Sequence, residues 1–463
     1  MALTASGIGS GLDVDSLVSQ LMSLERRPLS AIAAKQSSYE AKLSAFGQLK
    51  ASLSGFLTSV ESLNEPAKFS ATKAVVADGS IFSATSASGA VTGSFSVKVN
   101  QLASFQRVAT SATTAFAPSA GSTTFTFGSI SGGTFQPDPG SAVTVNFAGG
   151  TIEEFQDAIN QAGVGISASV VNNGTAKQLV LKGTTTGADQ AFSISGTSGL
   201  SYDPAVATTS SDPVYNLQAA QDAEIEVDGI TVTRASNSIS DVIDGVTLNL
   251  LKDTGAPSTT LTVSSDYSTA KSAIESFVGT YNALTSTIKT LTAFNASTEK
   301  ASTLTGDSTI RTIQTQLRSV VTSQIAGLSG ASSLAEVGIS IGTDGTLKID
   351  ATKLTAALAD PAKDVGALFG GSGAIQGFSG VLKNRLDGYL DSGGLIASRT
   401  SGISSVIKSF DKQEELINAR LERIEARYRT QFTNLDTLIS GMTQTSNYLS
   451  QQLANLPKIS SSN

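Results

Sequence analysis

Apolar residues recur along residues 403–456 in steps of four and three: Ile403, Ile407, Phe410, Ile417, Leu421, Ile424, Tyr428, Phe432, Leu435, Ile439, Met442, Leu449, Leu453 and Leu456. Glu414 and Ser446 occupy the two gaps. This 3.5-residue period predicts one long helix carrying a coiled-coil seam. Ile424, Tyr428 and Phe432 are spaced four and four, a stutter that locally unwinds any supercoil. Charged residues fill the outer faces of the middle of this helix, from Glu414 to Arg429. That half fits an ordinary bundle helix as well as a shared seam. Beyond Phe432 the charges almost vanish, and Ser, Thr, Asn and Gln flank the apolar stripe instead. A seam shared between subunits is expected there.

The other end of the chain is helical too. Asp13 or Asp15 is placed to cap a short amphipathic helix with Val14, Leu17, Leu21 and Leu24 on one face. Pro28 ends it and is suited to open the next, which carries Ile32, Tyr39, Leu43, Phe46, Leu53, Leu57 and Val60. From Lys68 the period shortens to two. Strands are expected at Ser94–Val99, Thr123–Phe127, Val143–Phe147, Ile166–Val171, Gln178–Lys182 and Ala191–Ile194, with one helix at Thr151–Ala162. Asp228–Gly229 marks a two-residue hairpin turn, since both residues tolerate positive φ. Gly245–Leu251 and Thr259–Val263 continue the sheet. Helices return from Asp266 and Asp307, a hairpin turns at Asp344–Gly345, and Asp350 caps the helix after it. Links are expected at 370–380 and 391–402, around a helix Val381–Leu390.

The fold class that follows is α+β and multidomain: a coiled-coil or helical-bundle stalk built from both chain ends, with β-rich domains inserted in the middle. The expected divisions are 1–40 and 431–463 as the two parts of a terminal helical domain, with 41–70 as a stalk helix. Segments 71–117 and 216–265 form a sheet domain, and 118–215 an inserted β-rich domain with one helix. Residues 266–430 form a helical stalk with a small hairpin–helix head. The β-rich middle is expected at the far end of the stalk.

Composition removes whole classes of chemistry. The chain of 463 residues has no cysteine, histidine or tryptophan. Disulfides, thiol nucleophiles, imidazole or thiolate metal sites and every Ser–His–Asp arrangement are excluded. The acidic residues fall at turns, helix starts or heptad outer faces, and no calcium-loop pattern occurs, so neither an enzyme nor a cofactor is expected. The GIGSG run at 7–11 lacks a preceding strand and the spacing of a phosphate loop. A net charge of −7 and the absence of a basic, aromatic-rich cluster argue against nucleic acid. No apolar run approaches the roughly 18 residues of a membrane span. Residues 1–13 lack the basic and apolar regions of a secretory signal. The expected interaction residues are therefore seam residues: Val14, Leu17, Leu21 and Leu24 at one end, and Phe432, Leu435, Ile439, Met442, Leu449, Leu453 and Leu456 at the other.

Four stretches carry a resemblance: GIGSGLDVDSLVSQLMSLERRPL (7–29), IEVDGITVTRASNSISDVIDGVTLNL (225–250), SLAEVGISIGTDGTLKIDATKLTAAL (333–358) and RYRTQFTNLDTLISGMTQTSNYLSQQL (427–453). In this order they resemble the flagellar filament-capping family, hook-associated protein 2. Residues 110–215 resemble it least, although TIEEFQDAINQAG (151–163) is similar. The resemblance implies a non-enzymatic ring of about five or six copies at the extracellular tip of the bacterial flagellum. The ring would retain exported flagellin and help it fold into the filament. Flagellin, the hook–filament junction proteins and a type III export chaperone are the implied partners. A chain without cysteine suits unfolded passage into an oxidising exterior. Two alternatives stay open: another flagellar axial protein, such as a junction protein or flagellin, and an adhesin whose β-rich insert binds a host glycan or mucin.

Overall fold

The computed structural model describes residues 13–253 and 257–454. The chain divides into two compact units, one of 1–65 with 271–463 and the other of 66–270. In chain order, α1 (Val14–Glu25) begins at Asp13, whose carboxylate accepts from the Ser16 N–H, and α2 (Arg27–Leu63) follows after the single residue Arg26, with Pro28 in its first turn. Proline lacks the N–H that an unbroken helix would need there.

The second unit is built on antiparallel sheets and one helix, with two cores. Its strands are β1 (Thr72–Val76), β2 (Phe82–Ser86), β3 (Gly93–Gln101), β4 (Arg107–Thr110), β5 (Gly121–Ser131), β6 (Thr134–Pro137), β7 (Val143–Phe147), and, after α3 (Ile152–Ala162), β8 (Ile166–Asn172), β9 (Lys177–Gly183), β10 (Ala191–Gly196) and β11 (Val214–Gln218). Then come β12 (Ala223–Val227), β13 (Ile230–Arg234), β14 (Ser238–Ile243), β15 (Val246–Leu250) and β16 (Thr259–Ser265). A five-stranded sheet, β1-β16-β3-β12-β13, and a three-stranded sheet, β14-β15-β2, enclose one core of Phe82, Val97, Val99, Ile225, Leu248 and Leu261. The β12–β13 turn has Asp228 at φ +49° and Gly229 at φ +85°, the mirror-image turn whose twist suits a tight hairpin. The other core gathers Phe125, Phe147, Phe155, Ile159, Leu179 and Phe192 between sheet β11-β4-β9-β8, sheet β10-β5-β6 with β7 on β5, and α3. Thr151 and Glu154 close a reciprocal capping box on α3.

The first unit resumes with α4 (Ser268–Thr292) and a hairpin of β17 (Phe294–Asn295) and β18 (Lys300–Ala301). Next are α5 (Ser308–Thr322), the hairpin β19 (Ile339–Ile341) with β20 (Leu347–Ile349), α6 (Ala351–Ala359) and α7 (Val365–Gly370). The hairpin β21 (Gly371–Ser372) with β22 (Ile375–Gln376), α8 (Phe378–Leu390) and the 60-residue α9 (Leu395–Ala454) complete it. An aromatic nest joins these helices: Phe277 of α4 stands 5.5 Å from Phe56 of α2 and 5.8 Å from Phe378 of α8. Hydroxyl pairs stitch α2 to α4, with Ser59 Oγ 2.6 Å from Thr280 Oγ1 and Ser52 Oγ 3.2 Å from Thr287 Oγ1.

Several expectations need correction. The link at 391–402 is mostly helix: α9 starts at Leu395, because Ile396 and Ile403 bury at a seven-residue interval and the Thr400 hydroxyl bonds back to the Ile396 carbonyl. The break lies at the glycines of 393–394. The link at 370–380 holds the β21–β22 hairpin and the start of α8. Divisions at 40/41 and 430/431 run through uninterrupted α2 and α9. Finally, β4 lies inside 71–117 but pairs with β9 and β11, so the inserted core starts near Arg107 rather than 118.

Candidate functional site

Among the described residues no group of acidic side chains gathers as a metal site, and no helix is long and apolar enough to cross a membrane. The feature that stands apart is the pair of terminal helices, α1 and α9. Val14, Val18 and Met22 of α1 are buried against Leu421 and Ile424 of α9, with Ile417, Tyr428 and Phe432 around them. The stutter is thus where α1 docks. A row of side chains spaced by four on one helix fits between such rows on the other, the commonest way two helices pack.

Polar contacts rim this small core. Arg429 Nη1 donates to Asp15 Oδ1 at 2.7 Å, and Arg429 Nε donates to Glu425 Oε1 at 3.0 Å. These two carboxylates, Asp15 first, raise the guanidinium above its ordinary pKa. The pairs are largely exposed and contribute little energy, about 0–1 kcal/mol each, but they fix orientation. Higher on α9, Gln36 of α2 donates to Asp411 at 3.0 Å, and Tyr39 meets Phe410 edge to face at 5.6 Å.

The expected interaction residues divide by environment. Val14 is buried within the chain. Leu17 is 36% exposed and Leu24 54%, while Leu21 is half-buried. Leu17, Leu21 and Leu24 were expected on one face with Val14; the contact within the chain is made by Val14, Val18 and Met22. On α9, Phe432 and Ile439 are half-buried, whereas Leu435 (42%), Met442 (64%), Leu449 (54%) and Leu453 (67%) stand exposed. Leu456 lies outside the described residues. Leu438 and Tyr448, which the seam spacing does not pick out, add to the exposed apolar surface. From Thr430 to Ala454 the only charged residue is Asp436. A helix end that keeps four leucines, a methionine and a tyrosine in water is marginal alone and gains stability by packing.

Comparison with known proteins bears on both units. The family model for the flagellar hook-associated protein 2 N-terminus matches residues 10–106, and that for its C-terminus matches 220–444. The stretch between them, 107–219, coincides with the second β core. Flagellar hook-associated protein 2 of Escherichia coli O157:H7 is 36% identical, covering 98% of each chain. The A-type flagellar hook-associated protein 2 of Pseudomonas aeruginosa is 34% identical, again over 98% of each. The crystal structure of the D1-D2-D3 domains of the flagellar cap protein FliD from Escherichia coli is 35% identical with a TM-score of 0.62, covering 78% of this chain and 99% of that one. By sequence along its whole length and by fold, this chain belongs to the flagellar hook-associated protein 2 family.

Proposed function

We propose that the chain is a structural cap at the distal end of the bacterial flagellar filament. It forms a ring that retains exported flagellin and promotes its folding and insertion into the filament. The observation that carries this reading is the charge-depleted, exposed apolar stripe of α9 from Leu435 to Leu453, together with the outward leucines of α1, in a chain of this family. A contact built from apolar and uncharged polar groups has no ion pair to lock its register. Such a contact suits a cap that must shift as each flagellin enters. The interaction residues are Leu17, Leu21 and Leu24 with Phe432, Leu435, Ile439, Met442, Leu449 and Leu453, and Val14 holds α1 in place. Hook–filament junction proteins and an export chaperone are the further partners, and the site of action is the extracellular flagellar tip. The role is structural, not enzymatic. Electron microscopy of purified protein tests it: closed small rings support a cap, whereas indefinite polymers support a filament-forming axial protein.

A second reading concerns the inserted core. A cleft there is lined by Phe116, Glu153, Asn172, Thr175 and Lys177, with Lys177 Nζ 2.6 Å from Glu153 Oε1. An aromatic edge beside amide, hydroxyl and paired charges suits a hydroxyl-rich ligand, so a host glycan or mucin is proposed for this domain. Glycan-array binding that persists after Phe116→Ala and Asn172→Ala would refute it.

A further inference from the structure

α1 has more apolar surface than its own α9 uses. Val14, Val18 and Met22 are buried, while Leu17 and Leu21 precede two of them by one residue and lie about 100° around the helix, with Leu24 on the same outward flank. α9 has a matching surplus. The row Ile417, Leu421, Ile424, Tyr428 and Phe432 holds α1, and apolar residues go on along the helix at Leu435, Ile439, Met442, Leu449 and Leu453, with Ser446 in the one gap. From Leu435 to Leu453 this free row is about 27 Å long, and α1, at 12 residues, is about 18 Å long. One α1 cannot serve both stretches. It is fixed on 417–432 by three buried side chains, by Asp15 on Arg429 and by the one-residue link to α2.

We propose that the free row of α9 in one copy receives the outward flank of α1, Leu17, Leu21 and Leu24, from a second copy. Continuity is the first argument: the free row extends, along the same helix, a surface that already binds an α1. Charge is the second: Asp436 is the one charged residue in this stretch, so the occupant it suits is an apolar flank such as that of α1. The third is closure. The two surfaces differ, so each copy gives its α1 flank to one neighbour and receives the flank of another, a head-to-tail contact that can close into a ring with nothing left over. Pairing α9 with α9 would instead stop at two copies and leave the α1 flanks bare. The inference rests on the ring reading and specifies which surfaces meet in it.

The chain has no cysteine, so introduced thiols report on this contact alone. Leu17 and Met442 are exposed, and replacing them leaves the intrachain core intact. Full-length protein carrying both Leu17→Cys and Met442→Cys, oxidised and run without reductant, is expected to form a ladder from dimer to closed ring. A mixture of the two single variants should give disulfide-linked dimer, and each single variant alone should give none. Dimer from Met442→Cys alone, with the double variant also stopping at dimer, would overturn the proposal in favour of like-with-like pairing. No cross-link in protein that light scattering shows to be a ring would place the contact elsewhere and leave the ring reading standing. Monomeric wild-type protein at all concentrations would remove both.

Discussion

With 15% charged residues, the chain leans on carboxamides for part of its polar bonding. Four of them grip a single residue's N–H and C=O at once, as a neighbouring strand would. Asn160 holds Ala168 (2.8 and 2.9 Å) and Asn237 holds Ala103 (both 2.8 Å). Gln106 holds Phe192 (2.8 and 2.9 Å) and Asn282 holds Leu347 (2.7 and 2.9 Å). Gln106 is 2% exposed, so Gln106→Glu would aim a buried carboxylate at the Phe192 carbonyl, two acceptors without a donor. A loss of about 3 kcal/mol is expected for the second unit in urea unfolding, and a change within error would show the grip to be idle. Titration follows the same economy. No histidine is present, so no side chain with an ordinary pKa titrates between pH 6 and 8. Hydrogen bonds from Ser333 and then Ser332 hold the Glu336 carboxyl below its usual range, and Arg234 does the same for Asp241. Depressed folded values mean stability that is complete above the unfolded carboxylate pKa, about 4, and lost as pH falls through the folded ones. Tyr202 is pushed up to about 12, by burial first and by Asp203 second, so its contribution is present below pH 10 and lost as pH rises towards 12. Thermal melts should therefore be flat from pH 6 to 8 and fall on both sides; a slope inside that window would contradict this assignment.

At the level of elements, α1 shows what a single sequence does and does not reveal. Two apolar rows overlap on it, the leucines at 17, 21 and 24 and the four-spaced Val14, Val18 and Met22, and the leucines dominate the pattern by size. The stutter in α9 held the missing information, because a four-spaced stretch docks a four-spaced partner. The Asp228–Gly229 turn was legible for a local reason: the residues that make it are neighbours in the chain. β1 and β2 were not, since apolar size does not alternate cleanly on them: Thr72, Ala74 and Val76 face in on β1 while Val75 faces out, and Ala84 and Ser86 share the inward face of β2 with Phe82. Nor was the partner of β4, which lies about 70 residues away on β9 and 100 on β11 and is chosen by the folded core. The carboxamide grips are equally non-local. Docking of α1 can be tested by Val18→Asp, which strands a charge against Leu421 and Ile424. Trypsin should then cut after Arg26, at the kink, much faster than in wild-type protein, as mass spectrometry of the fragments would show. Equal rates would mean that α1 does not dock.

At the scale of the whole molecule, the segment between the two family matches is an insertion with a clean base. Ser104 and Gln221 pair across it, with N–H to O distances of 2.9 and 3.2 Å in the two directions. Excising 105–220 there removes the second core entire. Cutting at 118–212 instead leaves β4 and β11 behind, with Val108 and Val214 stripped of their core. The first deletion is expected to give soluble protein with an intact first sheet and the second an aggregating one; circular dichroism and size-exclusion chromatography would tell them apart, and equal behaviour would dissociate the second core from β4. The terminal helices remain in both. Their role in capping is tested most directly by Leu435→Lys with Met442→Lys, two exposed positions one heptad apart on the free row of α9. Burying one leucine is worth about 1.5–3 kcal/mol, and a stranded ammonium adds to the loss in every subunit of a ring. The decisive measurement is flagellin monomer in the culture medium of cells whose only copy of the cap gene carries both substitutions, with export of the variant itself verified. Exported variant with shed flagellin and poor swimming is the predicted result; normal filaments and no shed flagellin would contradict the assignment of capping to these helices.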